Sequence, residues 1–119
     1  MKHIEHEIQK QIVKWARLFS GQIKELHVLH AIPNGGKRNM PEAVRLKAEG
    51  VLAGMPDLHL PVARNGYNSL YIEIKTQTGR QTKRQKEVQE ALEMHGNLVL
   101  VCRTAENGIK EILNYLKGA

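Results

Sequence analysis

The chain has 119 residues, with 18 Lys and Arg against 12 Asp and Glu for a formal charge of +6, and a single cysteine, Cys102. The length predicts one domain over residues 1–119, and the lone cysteine excludes both an intrachain disulfide and a cysteine-built zinc cluster, as expected in a reducing cytosol. The basic excess predicts a polyanionic partner, while an aromatic share of 4% argues against a binder built on stacked rings.

Ile4, Ile8, Ile12, Trp15 and Phe19 recur every three or four positions, which predicts a helix over 4–20 that ends at Gly21. The segment preceding them lacks the apolar core of a signal peptide, and no later run reaches the ~20 apolar residues that cross a bilayer, so no membrane partner is expected. Leu26 to Ile32 is expected as a short strand stopped by Pro33-Asn34-Gly35-Gly36, with the basic pair Lys37-Arg38 on the loop beyond it. Pro41 and Gly50 bracket a two-turn helix near 41–49. Asp57 to Val62 alternates polar and apolar as a strand does. Asn65-Gly66 then signals a hairpin, and Ser69 to Lys75 alternates again. In that second strand Leu70, Ile72 and Ile74 share one face, and Tyr71, Glu73 and Lys75 share the other.

Thr82 and Gln85 form a capping-box pattern that opens a helix continuing through Val88, Leu92 and His95 to Gly96. The unbroken apolar run Leu98 to Cys102 is expected as a strand buried on both faces. A last helix over about 105–117 carries Ile109, Ile112, Leu113 and Leu116 inward. The predicted order, αβαββαβα, describes an α/β fold with a mixed central sheet flanked by helices on both faces.

Chemistry concentrates at Pro56-Asp57 and, sixteen positions later, Glu73-Ile74-Lys75. An acid at the start of one strand, with an acid and a lysine two apart on its hairpin partner, brings two carboxylates and an ammonium to one patch. Such a patch suits metal-assisted phosphodiester hydrolysis. Asp57, Glu73 and the backbone carbonyl of Ile74 can hold a hard Mg²⁺ that keeps waters in its other positions. Lys75 beside it can orient the attacking water or offset charge in the transition state. The plainer reading of Glu73 and Lys75 is a solvated strand face. A pure DNA binder, the rival function, gains nothing from presenting two carboxylates to a polyanion, so a cation between protein and phosphate explains them better.

Other candidates are weaker. Glu5 and Glu7 both stand in the first turns of the opening helix, where acids suit the helix dipole. Gln85 has an ordinary role in the capping box. Lys37 with Arg38, Lys83 with Arg84, and His30 at a strand end are candidate phosphate contacts. The histidine pairs His3/His6 and His27/His30 lack a third ligand at zinc spacing. Nothing in the chain reads a 2′-hydroxyl, so the sequence leaves DNA and RNA both open as substrates.

Three segments, Gly54-Met55-Pro56-Asp57-Leu58, Tyr71-Ile72-Glu73-Ile74-Lys75, and Gly79-Arg80-Gln81-Thr82 with Gln85, resemble the VRR-NUC branch of the PD-(D/E)xK nuclease superfamily. Glu5 with Ile8-Gln9, and His30 with Ile32-Pro33-Asn34-Gly35-Gly36, extend the resemblance over almost the whole chain. It implies a restriction-endonuclease-like core in which Asp57 and Glu73 bind a divalent metal and Lys75 assists the water. It further implies that Glu5, in preference to Glu7, contributes from the first helix and that Gln85 supports the site. Some members of the branch act on branched or flapped DNA, and small phage-type members are held to act as dimers. The expectation is therefore a Mg²⁺-dependent DNA endonuclease, with Mn²⁺ able to substitute, selective for four-way junctions or other branched DNA and working as a homodimer. The alternatives are a monomer that cuts flaps or nicks, and a DNA-binding module without catalysis.

Overall fold

Over residues 2–33 and 39–119, which the computed structural model describes, the chain runs through α1 (Lys2–Phe19), β1 (His30–Ala31), α2 (Met40–Ala48), β2 (Leu58–Leu60), β3 (Leu70–Ile74), α3 (Lys83–Met94), β4 (Leu98–Cys102) and α4 (Ala105–Leu116). This is the expected αβαββαβα order. Among the described residues the strands form one sheet in the order β1-β2-β3-β4. β1, β2 and β3 pair antiparallel, whereas β3 and β4 pair parallel, and α3 makes the crossover that a parallel pair requires. The fold is therefore α/β with a mixed sheet.

Pairing in register places Leu58 opposite Ile72 and Leu60 opposite Leu70, and on the other side Cys102 opposite Ile74. Period-two alternation sends all of these to one face, where they are buried together with Ile8, Ile12 and Ala16 of α1 and Ile112 and Tyr115 of α4. Complete burial of Ile12 and Ile112 is worth roughly 1.5–3 kcal/mol apiece, more than the propensity differences along either helix. Gly108 in the first turn of α4 costs up to about 1 kcal/mol against alanine in helix propensity. It is required because a Cβ there would lie 2.6 Å from Ile12 Cδ1, so α4 could not approach α1 as closely.

The hairpin turns at Asn65 (φ 57°) and Gly66 (φ 83°), flanked by a bridge between Arg64 and Tyr67. Positive φ at both central residues is the type I′ geometry that the Asn-Gly pair predicts. Three expectations are corrected. Residues 26–32 are not one strand: Lys24–Val28 forms a 3-10 helix and only His30–Ala31 pairs with β2. Leu26 and Leu29 are both buried, and residues three apart share a face in a 3-10 helix but oppose one another in a strand. β4 is an edge strand with Leu98, Leu100 and Val101 only half-buried, because no further strand covers its outer side among the described residues. The stripe on α1 also drifts: Ala16 is buried, while Ile4 and Phe19, near the helix's two ends, are exposed.

No helix among the described residues is long and apolar enough to cross a membrane. Residues 34–38, and with them the Lys37-Arg38 pair, lie outside the described residues.

Candidate active site

Asp57 enters the sheet before β2 begins. Its N–H donates to Ile72 O at 2.9 Å, and its carbonyl accepts from Ile32 N at 2.9 Å. Its carboxylate then carries the ladder one step further, since Oδ2 accepts from Ile74 N at 2.7 Å. Pro56, fully buried, precedes it. Because the N–H and C=O of a strand residue leave along the same edge, the Ile74 carbonyl also points to the Asp57 side.

Glu73 lies on the sheet face opposite Ile72 and Ile74, with only 3% of it exposed. Lys75, two positions on, shares that face and places Nζ 3.9 Å from Glu73 Oε2. Gln85 of α3 donates Nε2 to the same oxygen at 3.0 Å. Burial first, and the Asp57 carboxylate second, push the Glu73 carboxyl up to about 8 from its ordinary 4.5, against the opposing charge of Lys75. Glu5, half-buried near the start of α1, adds to the rise, and the Asp57 and Glu73 carboxyls hydrogen-bond to each other. Two acids are thus driven together in a site where one lysine does not neutralise them.

That donor set fits a hard divalent cation. A buried and a half-buried carboxylate, with a carbonyl on the same edge, offer oxygen only, as Mg²⁺ prefers, and a cation between them would remove the repulsion that holds a proton on Glu73. Among the described residues no three His, Cys, Asp or Glu side chains converge as a metal cage. Glu5 therefore acts on Glu73 through its charge and is not a third ligand in this arrangement. Glu7 points elsewhere, paired with Lys10 at 3.0 Å in solvent.

Gln85 fills both roles open to it, using the two ends of one amide. Its Oε1 accepts from Thr82 N at 2.8 Å, and its own N–H donates to Thr82 Oγ1 at 3.1 Å, which completes the capping box. With the amide oxygen committed to Thr82, the amide nitrogen is the end that faces Glu73. The capping box therefore also orients the site.

The expected phosphate contacts are dispersed. Lys83 is exposed on the first turn of α3. Arg84, beside it, donates Nε to Ala53 O at 3.3 Å, which ties α3 to the segment between α2 and β2, and lies 3.7 Å from Glu87 on its own helix. His30 is exposed at the β1 edge with Nδ1 2.9 Å from Val28 O. Its ring meets His59 edge-on at 5.1 Å, and His59 stacks on Tyr71 at 4.1 Å, so a row of three rings continues from the carboxylates across the same sheet face. His59 Nε2 lies 3.0 Å from Ser69 Oγ, Ser69 donates to Asn97 Oδ1 at 2.6 Å, and Asn97 Nδ2 donates to Leu92 O at 3.0 Å.

Sequence reasoning missed this ring row and one further residue, Arg103. Its Nη1 meets the carbonyls of Thr76 at 2.6 Å, Gly79 at 2.7 Å and Gln77 at 3.4 Å, in the turn that follows Lys75. An arginine directly after a buried apolar strand was the available signal.

Comparison with known proteins agrees with this geometry. The family model of the VRR-NUC domain matches residues 1–106. A solved chain described as a VRR_NUC domain protein superposes with a TM-score of 0.81 at 32% sequence identity, covering 97% of this chain and 89% of that one. No curated protein matches.

Proposed function

Since the chain belongs to the VRR-NUC family, a family of nucleases, we propose that it is a Mg²⁺-dependent DNA endonuclease whose site is the patch of Asp57, Glu73 and Lys75. The observation that carries this reading is the carboxyl pair of the half-buried Asp57 and the buried Glu73. Ionising both acids is costly inside the protein, so Glu73 keeps a proton near neutral pH, and a cation between the two carboxylates offsets that cost.

Asp57, Glu73 and the Ile74 carbonyl would hold the ion. When bound, Mg²⁺, or Mn²⁺ in its place, polarises the phosphoryl group and acidifies a coordinated water. Lys75 orients the water for attack on phosphorus and offsets the charge that builds on the phosphoryl oxygens as the ester P–O bond breaks. Gln85 fixes Glu73 Oε2, and Glu5 adds negative potential that favours cation entry. Lys83, His30 and the Lys37-Arg38 pair contribute positive charge or donors toward the DNA backbone, and Arg84 adds its exposed remainder.

The substrate proposed is branched DNA, four-way junctions foremost, cut by a homodimer. Each chain carries one carboxyl pair, and resolving a junction requires two cuts at symmetry-related places, which a two-fold dimer provides. Leu113 and Leu116 of α4 are half-buried within their own chain and leave little surface for a partner. Met40 and Val44 of α2, a helix with no buried residue, offer more.

The test incubates purified protein with linear, flapped and four-way DNA in Mg²⁺, Mn²⁺ or excess chelator, with sedimentation of the free protein alongside. Metal-dependent cleavage that favours the junction, by a dimer, is expected. Cleavage in chelator overturns the metal, and equal nicking of all substrates by a monomer overturns the junction and the dimer.

A further inference from the structure

Glu73 takes two side-chain partners from the two ends of one connecting segment: Lys75 precedes the turn after β3, and Gln85 follows it. The turn closes through Gly79 N donating to Thr76 O at 3.2 Å, and the segment then runs into the Thr82 cap of α3. How the turn is seated therefore decides where both partners sit.

Arg103 seats it. Lys75 N donates to Cys102 O at 3.0 Å in the parallel β3–β4 pair, so the residue after Cys102 stands beside Lys75 where the two strands end. From there Nη1 gives its two N–H groups to Thr76 O and Gly79 O at 2.6 and 2.7 Å, with Gln77 O further off at 3.4 Å. Converging carbonyls present a concentrated negative potential that needs a donor with a charge. The planar, permanently charged guanidinium meets that need at fixed angles, whereas a lysine ammonium on a flexible stem does not.

We infer that Arg103 is a positioning residue: by holding the Thr76–Gly79 turn it keeps Lys75 and Gln85 in register on Glu73. The inference rests on the nuclease reading of that site. Its rival is a guanidinium that contacts the substrate phosphate directly, and the two differ in what they move. A phosphate contact changes substrate affinity, while a seat for the turn changes the mobility of residues 76–85 before any substrate arrives.

The experiment uses Arg103→Ala and Arg103→Lys in the full chain, with far-UV spectra and melting curves to select conditions in which both are folded. Hydrogen exchange, read without substrate, is expected to quicken by about tenfold or more at the Gly79, Gln85 and Lys86 amides of Arg103→Ala, with α1 and the interior of β3 unchanged. Arg103→Lys should lie between it and the parent. Cleavage kinetics should then show kcat down by about tenfold or more with KM within about twofold, and Gln85→Ala added to Arg103→Ala should cost little beyond the single change. Unchanged exchange over 76–86 in Arg103→Ala overturns the inference. So does a raised KM with kcat intact, the mark of a phosphate contact, or a fully additive double variant. If the parent chain cleaves no nucleic acid, the nuclease reading fails and the exchange data alone decide whether Arg103 seats the turn.

Discussion

The two faces of β3 are both buried, yet they are built on opposite terms. Leu70, Ile72 and Ile74 meet the apolar sides of α1 and α4, where every contact favours the folded chain. On the reverse, Glu73 and Lys75 are equally withdrawn from water, at 3% and 8% exposure, but Glu73 is set against a second acid, Asp57, that the one lysine does not offset. The comparison shows that burial does not by itself mean stabilisation. One face holds the strand in place, and the other draws on that stability to keep acids where water would otherwise disperse them.

The sharpest test of that contrast is Glu73→Gln, which keeps the shape and removes the charge. We expect cleavage to fall by more than about a hundredfold, because a ligand matters at least as much as the groups that orient it, while the melting temperature rises in metal-free buffer. A variant that is both inactive and less stable would erase the distinction between the faces. Ile72→Ala, one residue away on the reverse side, should lose about 2–5 kcal/mol in denaturant unfolding, with the kcat of the surviving folded fraction little changed.

Acidity provides a smaller and graded effect. A carboxyl at about 8 in the folded chain keeps a proton that the unfolded chain, near 4.5, gives up. The folded state therefore binds more protons between those values, and the stability of the metal-free protein should decline as pH rises from about 4.5 to about 8. Melting curves in chelator at pH 5, 6.5 and 8 measure the decline, and in Glu73→Gln its slope should flatten. Mg²⁺ should restore more stability at pH 8 than at pH 5, because binding must displace the proton. The smallest effect expected is Lys83→Gln, which should reduce the salt dependence of DNA binding by about one unit of log–log slope, measured by titration in chelator. No change there would place the DNA path away from the start of α3.

Local patterns were legible wherever one segment carries its own instruction. Alternation at Leu70–Lys75 announces the two faces, Asn65-Gly66 announces its turn, and Thr82 with Gln85 announces the cap. The meeting of Asp57 with Glu73 was legible too, because a hairpin joins their strands. The remainder depends on partners that carry no pattern. Arg103 answers backbone carbonyls, which every residue possesses, and Ser69 meets Asn97 across 28 positions of chain. The 3-10 helix at Lys24–Val28 escaped because two leucines three apart fit several periodicities until packing chooses one.

The path from Leu92 to His59 runs in one direction only. Leu92 O accepts, so Asn97 must present its amino group there and its oxygen to Ser69. Ser69 spends its hydroxyl hydrogen on Asn97 and can only receive from His59. His59 is thereby set as the tautomer protonated at Nε2, with the lone pair at Nδ1. Burial, and then the neighbouring His30, hold its pKa below the ordinary histidine value. Beside a site crowded with charge, this imidazole stands as a neutral dipole whose direction is fixed by a carbonyl on a helix.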